Sequence, residues 1–217
     1  MIAKQVKNAT ILAALLVVSA CGLRAQAFSA EHWNFNVGGG VTPALGTTGS
    51  RANTGWHYKL GAGYNFTPTF GTILEFQQNN LGVSNSVLTS LAVPNGDARL
   101  YSVSLNPIWR VRTGDRVGGY AIGGVGWYRR TVEFTQPTTA TALAFDPWFG
   151  LLFPVTVPAN QVIGSFSSNA VGLNGGVGMT IGKVESGPKF FTEIRYHWAD
   201  TRGISTQILP ITFGVRW

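Results

Sequence analysis

The sequence predicts an all-β chain: eight antiparallel strands in an up-and-down barrel that crosses a membrane, preceded by a signal peptide. Three observations carry this reading. Eight segments alternate apolar and polar residues with the period of two of a β-strand. Their connections alternate between short turns and long loops. The composition is poor in charge, with 12 % Asp, Glu, Lys and Arg, and rich in glycine, 28 of 217 residues; ordinary soluble domains have ~25 % and ~7 %.

The N-terminus reads as a secretory signal peptide. Lys4 and Lys7 precede an apolar run from Ala9 to Ala20, and Ala25-Gln26-Ala27 follows as an A-x-A cleavage signal. The run is shorter than the ~20 residues a membrane-spanning helix needs. The expected division is a signal peptide at 1–27 and a barrel domain at 28–217. Val18-Ser19-Ala20-Cys21 also has the form of a lipobox, so lipidation of Cys21 is the competing reading. Cys21 is the sole cysteine, which excludes an intrachain disulfide and a cysteine-based zinc site. Without residues 1–27 the net charge falls from +7 to +4, with 13 basic against 9 acidic residues. The high pI therefore owes part of its value to the signal. The apolar content excludes a disordered chain.

The predicted strands follow in order. The first places Trp33, Phe35, Val37, Gly39 and Val41 on one face. The second places Trp56, Tyr58, Leu60, Ala62, Tyr64 and Phe66 opposite His57, Lys59, Gly61, Gly63 and Asn65. The third places Phe70, Thr72, Leu74 and Phe76 opposite Glu75 and Gln77. The fourth places Tyr101, Val103, Leu105 and Trp109 opposite Ser102, Ser104 and Asn106. The fifth, from about Gly119 to Phe134, is less clean: Tyr120, Ile122 and Tyr128 share one face, Val125 and Trp127 the other. The sixth sets Val171, Leu173, Val177, Met179 and Ile181 against Gly172, Asn174, Gly176, Gly178 and Thr180. The seventh sets Phe190, Thr192, Ile194, Tyr196 and Trp198 against Glu193, Arg195 and His197. The eighth sets Leu209, Ile211, Phe213, Val215 and Trp217 against Pro210, Thr212, Gly214 and Arg216.

Thr67-Pro68-Thr69, Thr113 to Arg116 and Lys183 to Pro188 are turn-like. Pro43 to Gly55, Asn79 to Asp97, Gln136 to Ser168 and Asp200 to Gln207 are longer. Counted along the chain, the long connections all fall at one end of an up-and-down barrel. Short turns on the periplasmic side and long loops outside the cell are the layout of outer-membrane barrels. A turn centred on Pro68 would bring Leu60 against Phe76, Tyr64 against Thr72, and Lys59 against Gln77 with Glu75 on the diagonal. A one-residue slip would break that agreement.

The two faces indicate which side meets lipid. The apolar faces carry Trp33, Trp56, Tyr58, Tyr64, Tyr101, Trp109, Tyr128, Trp198 and Trp217 near strand ends, as in the aromatic girdles at membrane interfaces. The opposite faces carry small and polar residues with a few charges. A soluble, lipocalin-like barrel would bury the apolar face and carry more charge outside; it is the rival at the level of fold. Eight strands enclose only enough space for side chains.

On these residues the chain resembles the small OmpA/OmpX-like, porin-like outer-membrane β-barrels of Gram-negative bacteria. The likeness rests on Gly61-Ala62-Gly63-Tyr64-Asn65-Phe66-Thr67-Pro68, on Leu105-Asn106-Pro107-Ile108, on Lys189 to Tyr196, and on Pro210 to Trp217. The last stretch is similar to the C-terminal assembly signal of such barrels, with Ile211, Phe213, Val215 and Trp217 as the alternating apolar positions. Most members end in Phe, and Trp217 departs from that. The resemblance implies an integral outer-membrane protein, in contact with outer-membrane lipid and lipopolysaccharide, handled by the assembly machinery, binding no nucleic acid and monomeric.

The chemical motifs are few. Gly178 to Lys183 has three residues between its glycines where a phosphate-binding loop needs four, and Val184 stands where Ser or Thr is required; these read as strand glycines facing the lumen. His32, His57 and His197 have no metal-ligand spacing, and no Ser-His pair suggests a nucleophile. No catalytic residue, metal or cofactor is expected, and the protein is read as not an enzyme. Lys59, Glu75, Glu193, Arg195 and Arg216 form the expected lumenal charge network. If Asp200 to Gln207 is the last loop, Glu193 opposes Gly214 and Arg216 is its diagonal partner. That pair reads first as a plug and second as an ion-conducting gate. The loop from Gln136 to Ser168 is unusually apolar, with Phe145, Trp148, Phe149, Leu152 and Phe153 as candidate partner-binding residues. It is expected chiefly to pack on itself at the barrel rim; extension of strands five and six, or binding of a partner, are the other readings. The functional expectation is a structural or surface-interaction barrel, with a small pore and a lipid-modifying enzyme as alternatives.

Overall fold

The computed structural model describes residues 32–112, 116–182 and 187–217. The signal-peptide and lipobox readings fall outside them. The compact body runs from Asn34 to Trp217. Its strands are β1 (Trp33–Thr42), β2 (Gly55–Asn65), β3 (Phe70–Gly82), β4 (Asn95–Arg112), β5 (Val117–Asp146), β6 (Leu151–Ile181), β7 (Lys189–Ala199), β8 (Thr206–Ile208) and β9 (Ile211–Arg216). β8 and β9 are two pieces of one stave, interrupted at Leu209-Pro210. Pro210 has no N–H to give a ladder, but its carbonyl still accepts the Arg195 N–H at 3.1 Å. β9 pairs antiparallel with β7 on one side and β1 on the other, so the sheet closes into an eight-stave barrel. Closure removes the unpaired edges that a membrane cannot tolerate.

The register of the β2–β3 hairpin is the one its turn predicts: Leu60 faces Phe76, Tyr64 faces Thr72 and Lys59 faces Gln77. In the turn, the Thr67 hydroxyl accepts the Phe70 N–H at 2.9 Å. The loops at the other end carry short helices, α1 (Gly46–Gly49) and α2 (Asn85–Ser90).

The polarity of the barrel is inverted relative to a soluble protein. Outward Leu60, Leu74, Leu105, Val125 and Leu173 are 51–55 % exposed, whereas inward Lys59, Glu75, Asn106, Glu193 and Arg195 are 2 % exposed or less. Only an apolar solvent around the barrel makes that arrangement favourable. It disposes of the lipocalin-like rival, whose apolar face would point inward.

β5 corrects the reading of one face. Tyr120, Ile122 and Tyr128 point into the lumen, and Val125 and Trp127 point out, 55 % and 43 % exposed. Tyr128 is fully buried and so does not belong to the aromatic girdle.

The glycines have a steric reason. A Cβ on Gly214 would lie 2.6 Å from the Phe191 ring, one on Gly172 2.8 Å from the Tyr128 ring, and one on Gly61 2.8 Å from Glu75 Cγ. A Cβ on Gly178, paired with Tyr120, would collide with the tyrosine ring and hydroxyl. Glycine on one stave makes room for a long side chain from another.

β5 and β6 also run far beyond their neighbours. β4 stops pairing with β5 at Thr135, and β7 reaches β6 only from Gly172. Between lie the pairs from Gln136–Gln161 to Asp146–Leu151, past a register shift at Phe134/Thr135. This two-stranded ribbon projects about 35 Å, at the usual rise per strand residue. Its turn is closed by the Gly150 N–H donating to Asp146 O at 2.8 Å and the Trp148 N–H donating to Asp146 Oδ1 at 2.9 Å, with Gly150 at φ +65°. The expected loop is thus mostly strand. Its tip residues do not pack at the rim: Trp148 is 91 % exposed and Phe149 76 %.

Gly178→Ala is predicted to lower barrel stability by about 1–3 kcal/mol through overpacking against Tyr120. Gly175→Ala, whose Cβ meets nothing within 4 Å, is the matched control and should change little. Heat-dependent gel mobility of the refolded protein measures both.

Candidate functional site

The lumen is built from the inward residues of facing staves. Lys59 on β2, Glu75 on β3, and Glu193 and Arg195 on β7 meet in its middle. Lys59 Nζ lies 3.2 Å from Glu75 Oε1 and 2.6 Å from Glu193 Oε1. Arg195 Nη1 donates to Glu75 Oε2 at 2.6 Å, and its Nη2 lies 2.7 Å from Glu193 Oε1, off the hydrogen-bond axis. The four charges alternate around a closed square and sum to zero. β3 and β7 stand on opposite walls of the ring, so the Glu75–Arg195 bond crosses the full width of the barrel.

Neutral donors complete the carboxylates. Glu75 accepts from Asn36 Nδ2 at 2.9 Å and Asn106 Nδ2 at 2.7 Å; Glu193 accepts from the Tyr120 hydroxyl at 2.9 Å. Asn106 in turn accepts from Asn174 Nδ2 at 2.9 Å. Burying these ions is costly, and only such saturation offsets the loss of water.

Arg216 stands elsewhere. Glu193 faces Thr212 rather than Gly214, and Arg216 faces Lys189 across β7–β9. The loop after β7 is tighter than the sequence suggests, because Thr206 already pairs with Ala199. The resulting slip of two residues keeps Arg216 on the lumenal face but moves it one inward position toward the short-turn end. Its guanidinium carbon lies 4.6 Å from the centre of the Tyr120 ring and 5.2 Å from that of Phe191. Lys59 sits 5.2 Å from the centre of the same Phe191 ring. The expected Glu193–Arg216 pair is therefore replaced by Glu193 with Lys59 and Arg195.

Above the quartet is a polar tier. His57 Nδ1 is 2.8 Å from the Thr42 hydroxyl, and His57 Nε2 is 2.9 Å from the Thr212 hydroxyl. The Tyr128 hydroxyl is 3.0 Å from His197 Nδ1. Both histidines are buried inward residues with hydroxyl partners. Two apolar layers bound the polar ones. At the long-loop mouth, Leu81, Val83, Leu100 and Ile208 pack with Ala52 of the first loop; toward the short-turn end, Ile73, Ile108 and Ile122 pack with Tyr120. The sequence reading missed both layers and the roles of Tyr120 and Tyr128. The available signal is parity: Ile73 and Ile108 lie two residues from inward Glu75 and Asn106, and Ile122 two from Tyr120. Phe145, Trp148, Phe149, Leu152 and Phe153 lie together at the ribbon tip, far from the lumenal groups. Ile211, Phe213, Val215 and Trp217 face outward, with Phe213 and Trp217 more than half exposed.

A closed antiparallel barrel, apolar outside and charged within, is the architecture of a protein integral to the bacterial outer membrane. Residues 13–156 match the model of the outer membrane protein beta-barrel domain, and the chain belongs to that family. Among solved structures, it is similar to a major outer membrane protein from Thermus thermophilus, with 12 % identity, TM-score 0.55, and coverage of 87 % of this chain and 99 % of that one. It is also similar to Neisserial surface protein A, with 14 % identity, TM-score 0.53, and coverage of 85 % and 95 %. The attachment invasion locus protein Ail of Yersinia pestis, in complex with the heparin analogue sucrose octasulfate, aligns at 18 % identity and TM-score 0.48 over 86 % and 99 %. At these identities the likeness is one of fold. No curated protein matches the chain.

Glu75→Gln leaves the buried quartet with an excess positive charge and is predicted to cost about 3–5 kcal/mol. Arg99→Ala removes an exposed partner of Glu133, 3.6 Å away, and should cost about 0–1 kcal/mol. Urea-driven unfolding from lipid vesicles, followed by tryptophan fluorescence, compares the two.

Proposed function

We propose that this barrel is a membrane-anchored scaffold with a plugged lumen, and that it works by presenting the β5–β6 ribbon to a surface outside the cell. The observation that carries the reading is the ribbon tip. Phe145, Trp148, Phe149, Leu151 and Leu152 are each more than 60 % exposed, at the end of a ribbon that no other strand supports. A contiguous apolar patch of this kind marks an interaction site. From Thr131 to Gly182 the chain carries no Lys or Arg, and its only acids are Glu133 and Asp146. The tip therefore favours an apolar partner over a charged one.

The plug supports a scaffold over a pore. The quartet and the two apolar layers fill successive levels of the lumen with side chains that already have partners. The apolar band meets lipid and lipopolysaccharide. The outward strip of Ile211, Phe213, Val215 and Trp217 is offered to the assembly machinery before β9 closes against β1.

Two measurements test this reading. A variant with Phe145, Trp148, Phe149, Leu152 and Phe153 all changed to Ser should fold with unchanged heat stability. Cells displaying it should partition into hexadecane markedly less than cells displaying the intact protein; equal partitioning would remove the ribbon as the working part. In planar bilayers the intact barrel should give no sustained conductance steps, whereas regular steps would favour the small pore.

A further inference from the structure

Three cations stand at the short-turn end of the lumen. Arg110 on β4 faces Tyr120 across the β4–β5 pair, Arg216 stacks on the same ring, and Lys189 faces Arg216 across β7–β9. Glu75 and Glu193 are engaged in the quartet, and among the described residues no carboxylate pairs with Arg110 or Arg216. Arg110 instead donates from Nη2 to Asn65 Oδ1 at 2.6 Å, an oxygen that also accepts from Asn34 Nδ2 at 2.7 Å.

Arg216 is the anomaly. It is 5 % exposed, and its Nε, Nη1 and Nη2 are buried without a hydrogen-bond partner. The Tyr120 and Phe191 rings lie 4.6 Å and 5.2 Å from the guanidinium carbon. Ring faces attract the charge, but they do not accept the N–H groups, which point outward in the guanidinium plane. A buried cation in this state is unfavourable unless acceptors reach those donors. The planar fork of a guanidinium suits two oxygens of one oxyanion, and a second guanidinium with an ammonium beside it adds charge complementarity.

We propose that Arg216, Arg110 and Lys189 form a binding site for a tetrahedral oxyanion of the phosphate class at the short-turn end of the lumen. Arg216 supplies the bidentate contact, Arg110 the second guanidinium, and Lys189 the edge of the site. The oxyanion neutralises Arg216 and Arg110, which have no carboxylate partner among the described residues. Its source is either free phosphate or the phosphodiester of a lipid headgroup.

The test uses the full barrel refolded in an uncharged maltoside detergent, with chloride holding ionic strength constant. One arm titrates inorganic phosphate by calorimetry; the other titrates a short-chain phosphatidylglycerol. The Nε resonance of Arg216 is followed in both. Saturable one-site binding is expected in at least one arm, with the Arg216 resonance shifting in step. Arg216→Gln and Arg110→Gln should each weaken it tenfold or more, and Arg216→Lys, which keeps charge but loses the fork, several-fold. Binding only in the first arm assigns the free ion, and only in the second the lipid. Heat-dependent gel mobility establishes that each variant is folded, and Arg110→Gln keeps the test valid if Arg216→Gln does not fold. Absence of saturable binding in both arms overturns the proposal. So does binding that the folded variants retain at full strength.

Discussion

The square of charges formed by Lys59, Glu75, Glu193 and Arg195 is the constraint on which the rest of the barrel depends. Four ions with almost no exposure are tolerable only if each keeps its partners, and those partners come from β2, β3 and β7. The staves must therefore hold a fixed register and a fixed separation across the lumen. The glycines follow from the same need. Gly61 leaves space beside Glu75, and Gly178 leaves space for the Tyr120 ring whose hydroxyl completes Glu193. With the charges of the quartet paired inside, the outer face is free to be apolar, and lipid becomes the solvent in which the fold is stable.

The barrel and the ribbon obey different rules. In the barrel each strand is fixed on two sides, and alternation separates lumen from lipid. Above Thr135 each strand of the ribbon has a single partner, and both faces meet solvent. Isolated two-stranded ribbons are marginal in water. Here the hairpin is anchored by the long β5–β6 ladder below it, which lets an apolar tip be held away from the barrel.

This difference also decides what the sequence could disclose. The eight staves were legible because one face is lipid and the other lumen, which writes a period of two into Leu60, Leu74, Leu105 and Leu173. The β2–β3 register was legible because Pro68 sits in a tight turn that leaves one consistent pairing. The partner of Arg216 is not legible, because a slip of two residues preserves every face while changing every partner. From sequence Tyr128 reads as a girdle residue, because aromatic residues in a barrel serve lumen and lipid alike. The ribbon hid in a predicted loop because strands exposed on both faces carry no hydrophobic alternation. The apolar lumenal layer of Ile73, Ile108 and Ile122 shows in the sequence only through parity with Glu75, Asn106 and Tyr120, because its residue type is the one expected toward lipid.

The four lumenal charges act as one cross-brace and not as two separate pairs. A double-mutant cycle measures this directly. Lys59→Met, Arg195→Met and the double variant are unfolded reversibly from lipid vesicles, and the coupling energy is taken from the three stabilities against the parent. Lys59 and Arg195 share both carboxylates, so a cross-brace predicts strong non-additivity, with coupling of about 1–3 kcal/mol. Additive losses, within about 0.5 kcal/mol, would show that the two cations act independently and would contradict the account.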